Sequence, residues 1–72
     1  IFNAKTSNQG VKVFNLATQL YPKSANLFDS LAEGFLSMGN HKKAIANFKK
    51  SLDLNPQNQN AIDRLKILTA TP

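Results

Sequence analysis

Cysteine is absent from these 72 residues, so neither a disulfide nor a thiolate metal site can staple the fold. Histidine occurs once, as His41. A lone imidazole with no thiolate and no paired carboxylate cannot complete a zinc site. Carboxylates are scarce: Asp29, Glu33, Asp53 and Asp63 face nine Lys or Arg. Glycine and proline number three each, too few for a collagen-like or linker composition. No stretch approaches the ~18 consecutive apolar residues of a membrane span. Ile1–Lys5 has no charged start followed by the apolar core of a signal peptide. No GxGxxG or GxxxxGK[ST] loop is present to cradle a phosphate. Period-two alternation and Val/Thr/Tyr-rich runs are missing as well, which argues against strands.

What is present fits one small globular domain, 42% hydrophobic and 18% charged. A chain this short buries only roughly 60% of its unfolded surface, too little for two domains with a cleft between them. The chain opens with Ile rather than Met, as a piece of something longer would. Net charge is +5. The cations Lys5, Lys12, Lys23, Lys42, Lys43, Lys49, Lys50, Arg64 and Lys66 are scattered, and no run exceeds two. Nucleic-acid binding needs clustered charge and aromatics for stacking. Four of the five Phe fall at core positions, so Lys42, Lys43, Lys49 and Lys50 read as a solvated outer face.

Sliding the sequence on itself gives one good offset, 34 residues. Phe14 falls on Phe48, Leu20 on Leu54, Pro22 on Pro56, Asn26 on Asn60, Asp29 on Asp63 and Leu31 on Leu65. A fixed period of this size marks stacked supersecondary units. Within each unit the apolar residues recur at helical spacing. Leu27, Phe28, Leu31, Phe35 and Met38 make one stripe, and Ala44, Ile45, Phe48 and Leu52 another. An earlier helix uses Val11, Phe14, Ala17 and Leu20; a last one uses Ala61, Ile62, Leu65 and Leu68. Ser24 and Asn58 stand where N-caps belong, Gly39-Asn40 suits a left-handed turn and cap, and Pro22 and Pro56 stop helices. The expectation is an all-α array of four helices, about 8–21, 25–38, 41–54 and 59–70. Short loops make chain neighbours antiparallel.

Ala25–Asn58 resembles a tetratricopeptide repeat, a helix–turn–helix unit of 34 residues. The matching positions are Phe28, Leu31, Ala32, Phe35, Gly39, Ala44, Phe48, Ser51 and Pro56, with Phe28 and Ser51 standing for the commoner Trp and Ala. Residues 8–24 resemble the second half of a preceding repeat, and 59–70 a capping helix in which Lys66 and Thr69 replace a small residue and an aromatic. Ile1–Ala4 would be the remnant of a missing first helix. The resemblance implies right-handed superhelical stacking and a protein-binding role without catalysis or cofactor. It also places a concave groove on Asn26, Asp29, Glu33, Leu36 and Ser37 of one helix and Asn60, Asp63 and Ile67 of the last. Three of the four acids lie on that groove, so a ligand with basic residues is expected there. Asp29 and Glu33 also have the spacing of an acid–base pair, but no nucleophile accompanies them. The expected partner is a protein, a peptide or a preceding domain of the same chain. A second copy is the alternative, docked on the first helix where Val11 and Phe14 lack a neighbour. One full repeat with a cap also resembles the C-terminal tails of bacterial serine hydrolases of the esterase or β-lactamase type, in which the catalytic residues lie elsewhere.

Overall fold

A computed structural model describes residues 4–70, with side chains from Asn8 onward. Four helices follow one another, α1 (Ala4–Leu20), α2 (Ala25–Ser37), α3 (His41–Leu54) and α4 (Gln59–Thr69). Among the described residues there is no strand. The fold is an all-α array of helical hairpins, with α2 against α3 as its most extensive contact and α1 and α4 flanking that pair. Of the remnant expected at Ile1–Ala4, residues 1–3 lie outside the described residues, whereas Ala4 is already helical. α1 therefore begins four residues before the expected start.

Helix ends follow local chemistry. Ser24 Oγ accepts the Leu27 N–H at 3.3 Å, and Asn40 Oδ1 accepts the Lys43 N–H at 3.2 Å. Each satisfies one donor that the first helical turn leaves without a partner. Gly39 takes φ +79° at the turn between α2 and α3, a conformation that a β-carbon would strain.

Ala32, Ala44, Phe48 and Ala61 form the core, all fully buried. The alanines let the helix backbones approach and the Phe48 ring fills the space between them. Phe35 and Phe48 are both expected inside. Only Phe48 is; Phe35 stays half-buried at the core's edge, with Lys43 Nζ 5.5 Å from its ring centre. Leu20 is likewise exposed rather than packed. It lies nine residues from Val11, half a turn out of phase at ~100° per residue, so both cannot face α2. The buried stripe of α1 is Val11 and Thr18, with Phe14 and Ala17 half-buried beside them.

α1 meets α2 most closely at Gly34, where an added β-carbon would stand 2.8 Å from Val11 Cγ2. Gly10 has nothing within 4 Å of the same atom. The two glycines should respond oppositely to alanine. Gly10→Ala is expected to gain ~0.5–1 kcal/mol from helix propensity alone. Gly34→Ala gains the same but must displace a stiff, buried β-branched side chain, an overpacking cost of ~1–3 kcal/mol. Urea unfolding of both variants checks this: equal stabilisation by both would mean that α1 and α2 lie further apart than the 2.8 Å approach at Gly34 requires.

Candidate functional site

The polar face expected to form a groove is built from α2, α4 and the turn before α4. Asp29 and Glu33 stand one turn apart on α2. Asn60 of α4 reaches across and donates one amide hydrogen to Asp29 Oδ1 at 2.8 Å and the other to Glu33 Oε2 at 2.9 Å. Arg64, one turn further along, donates its Nε–H to the same Glu33 oxygen at 2.9 Å. Asn58 donates to Asp29 Oδ2 at 2.7 Å and to Ser51 Oγ at 2.8 Å, while its own carbonyl accepts the Ala61 N–H at 3.5 Å. Ser51, fully buried, passes its hydroxyl hydrogen to the Ala25 carbonyl at 2.8 Å.

The result is a continuous chain, Ala25–Ser51–Asn58–Asp29–Asn60–Glu33–Arg64, tying α4 and its preceding turn to α2 and α3. Both asparagines spend both amide hydrogens in it. Rotating the Asn60 amide by half a turn would aim its carbonyl at two carboxylates, so the network fixes its orientation.

This changes what the groove offers. Asp29 and Glu33 are the floor of a helix–helix clasp, with both Asp29 oxygens occupied. For a ligand, Asn60 keeps only its carbonyl. Asp63 sits apart from the clasp and accepts from Gln59 on its own helix at 2.8 Å. Leu36 is half-buried and packs on the core rather than lining an open surface. Asn26, Ser37 and Ile67 are exposed. Arg64, Asn58 and Ser51 are the partners that sequence reasoning missed. The nearest signal was Asn58 as a cap, which gave its place but not its reach to Asp29.

Lys42, Lys43, Lys49 and Lys50 are all exposed along α3, as expected. Two of them are engaged: Lys43 lies over Phe35, and Lys50 Nζ is 5.8 Å from the Phe28 ring centre. These are cation–π distances, and they cover the aromatic faces that a base would need for stacking. His41 is exposed at the first position of α3. Among the described residues no group of three or more His, Cys, Asp or Glu could hold a metal ion, and no helix is long and apolar enough to cross a membrane.

The first helix carries a second feature. Val13, Leu16 and Leu20 are 65%, 57% and 66% exposed, and Tyr21 follows them at 64%. Their i, i+3, i+7 spacing lines them along one side of α1, away from the Val11–Thr18 stripe that packs on α2. α1 is thus apolar on two sides and covered on one. At its end, Leu20, Tyr21, Pro22, Lys23 and Ser24 line an open cleft of about 420 Å³. The uncovered residues differ from the Val11 and Phe14 expected, because Val11 is buried against α2. The sequence signal was there, in a second helical stripe interleaved with the first.

No family model matches the chain. Forty-five of its residues, 62% of the chain, are 42% identical to part of a serine/threonine-protein phosphatase T of Trypanosoma brucei brucei. The chain spans 10% of the length of that relative.

Proposed function

We propose that this chain is a non-enzymatic helical-hairpin module of the tetratricopeptide kind, whose work is to bind a polypeptide, of another protein or of a preceding part of its own chain. The observation that supports this reading is the uncovered apolar side of α1. Of the six large hydrophobics exposed among the described residues, Val13, Leu16, Leu20 and Tyr21 lie together on this helix and its turn. Scattered exposed apolar residues need no explanation, but a contiguous set marks an interaction surface. The clasp on the other side of the molecule holds α2 and α4 in place, so the scaffold presenting this side is already formed before a ligand arrives.

A second reading sets the module as a non-catalytic appendage on a larger enzyme. The similarity to a tenth of a serine/threonine phosphatase favours it. It agrees with an accessory position in general and does not single out a serine hydrolase as the host.

Selection from a library of helical peptides tests the binding role. The chain should enrich ligands, and Leu16→Asp should weaken them at least ~10-fold, as expected for an apolar anchor at the centre of a contact. Asp63→Asn, on the opposite polar surface, should leave them unchanged. Ligands that ignore Leu16→Asp and are lost with Asp63→Asn would move the binding surface to the polar side. No enrichment at all would remove the reading.

A further inference from the structure

We infer that the outer side of α3 docks an acidic helix of a partner protein, one that carries adjacent pairs of Asp or Glu seven residues apart. The inference does not depend on what covers α1.

The charge comes first. Lys42, Lys43, Lys49 and Lys50 are all exposed, and the one ion pair among the described residues joins Arg64 to Glu33 elsewhere. Asp53 follows Lys49 by four residues and Lys50 by three, spacings that allow pairing, yet it pairs with neither. The helix's own stability does not explain this arrangement. Lys42 and Lys43 occupy the first turn of α3 with no acid beside them, and Asp53 the last turn with no cation. Both placements run against the helix dipole.

The geometry comes second. At ~100° per residue the lysines form two rows, Lys42 with Lys49 and Lys43 with Lys50, and the exposed Ala46 falls on the line between them. Within a row the backbone positions are ~10 Å apart, seven residues at ~1.5 Å of rise. One row is held from below. Lys43 Nζ lies 5.5 Å from the Phe35 ring centre, and Lys50 Nζ 5.8 Å from that of Phe28. Phe28 and Phe35 are themselves seven residues apart on α2, so the same contact is made twice. Two long side chains are thus already ordered, which lowers the entropic cost of binding. A helix with acidic pairs at the same interval meets both rows, and the small Ala46 lets it approach closely. An extended segment does not match, because residues on one side of a strand recur at ~6.6 and ~13 Å.

The rival occupants fit less well. A second copy has no such helix to offer: Asp29 and Glu33 are held in the clasp, and Asp53 and Asp63 stand singly on separate helices. Any segment preceding residue 1 continues from α1, whose extensive contact is with α2. In a stacked array such a segment meets α1. Both chain neighbours of α3, which are α2 and α4, already pack against it on its other side. Nucleic acid finds no free aromatic face here, and four cations are few against the roughly 6–10 phosphate contacts of a duplex binder. A membrane-surface helix needs large apolar side chains on its outer face, where α3 has Ala46 and Asp53.

The test is fluorescence anisotropy on the intact chain with two helical peptides of one composition. One carries adjacent Glu pairs seven residues apart, and the other has the same residues permuted to break that interval. The paired peptide should bind at least ~5-fold tighter, and its affinity should fall at least ~10-fold between ~50 and ~300 mM salt. Lys42→Gln/Lys49→Gln should weaken it at least ~10-fold while circular dichroism stays that of the parent. Lys12→Gln/Lys23→Gln removes the same charge elsewhere and should leave binding unchanged, as should Leu16→Asp on α1. Asp53→Asn should tighten binding ~2-fold or more by removing a like charge from the middle line. Equal losses from the two lysine pairs would replace the α3 strip by overall charge. Equal affinity for the two peptides would overturn the helical match, and no binding of either would remove the inference. Loss with Leu16→Asp would move the site to α1. The titration is repeated on the whole natural protein that contains residues 1–72. If the peptide binds there only after a segment outside residues 1–72 is deleted, that segment is the occupant and the assignment to a partner falls. A nucleic-acid duplex or anionic vesicles that displace the peptide through Lys42 and Lys49 would assign the strip to that class instead.

Discussion

Phe48→Ala is expected to leave the chain largely unfolded at room temperature. Phe48 is fully buried at the centre of the only core found among the described residues, against Ala32, Ala44 and Ala61. The alanines have no longer side chain to swing into the space, and Phe35, Leu36, Leu52, Leu65 and Leu68, packed around them, can fill it only in part. Removing a buried phenyl ring costs ~3–5 kcal/mol, more where a site cannot collapse. A chain this short rarely has more than ~3–5 kcal/mol to lose. Phe35→Ala should cost clearly less, because Phe35 is half-buried and Lys43 covers its outer face. Urea unfolding followed by circular dichroism compares the two. If Phe48→Ala stays within ~1 kcal/mol of the parent, the core is elsewhere.

The second large effect is expected at Asn58, a residue that does two jobs at once. Its carbonyl caps α4, and its amide joins Asp29 to Ser51. Losing a cap costs ~1 kcal/mol. Losing a hydrogen bond to a carboxylate costs ~1.5–3 kcal/mol. Asn58→Ala should therefore destabilise by about 3 kcal/mol, most of it felt in α4. Asn58→Asp separates the two jobs, because Asp caps as well as Asn but would press a carboxylate on Asp29. It should be no better than Asn58→Ala. Arg64→Met makes the contrast: its pair with Glu33 is partly exposed and should be worth under ~1 kcal/mol. Hydrogen exchange resolved by helix, alongside unfolding curves, reads all three. A tolerated Asn58→Asp would mean that the cap matters and the clasp does not.

The helices were legible in the sequence because their ends are marked by residues with strong local preferences. Pro22, Gly39-Asn40 and Asn55-Pro56 place the three turns to within a residue or so. The start of α1 was not legible. Apart from Ala4, residues 4–9 are polar, carry no cap followed by an apolar stripe, and join the helix as its extension. Ala44, Ala61 and Phe48 followed from periodicity and Ala32 from the tetratricopeptide resemblance, whereas the reading of Leu20 failed through periodicity: a spacing of three repeated over nine residues drifts half a turn around the helix. The polar site divides in the same way. The 34-residue offset put Asn26, Asp29, Asn60 and Asp63 at matching places on α2 and α4. It could not say that Asn60 would spend both its amide hydrogens on Asp29 and Glu33, because hydrogen-bond partners leave no period. Free acids were expected where the fold uses the acids to hold itself together.

The order of helix contacts has a kinetic consequence. Every extensive contact joins helices adjacent in the chain, and the clasp closes a loop of only 31 residues between Asn60 and Asp29. Little chain entropy is lost before contacts begin to repay it, so folding belongs at the fast, local end of the range, microseconds to milliseconds. α2 with α3 is the natural nucleus, because it has the most extensive contact and contributes Ala32, Ala44 and Phe48. α4 joins afterwards, seating Ala61 in the core and closing the polar clasp onto α2. Because each helix leans mainly on its chain neighbours, opening should begin at α1 or α4 and reach the α2–α3 pair last.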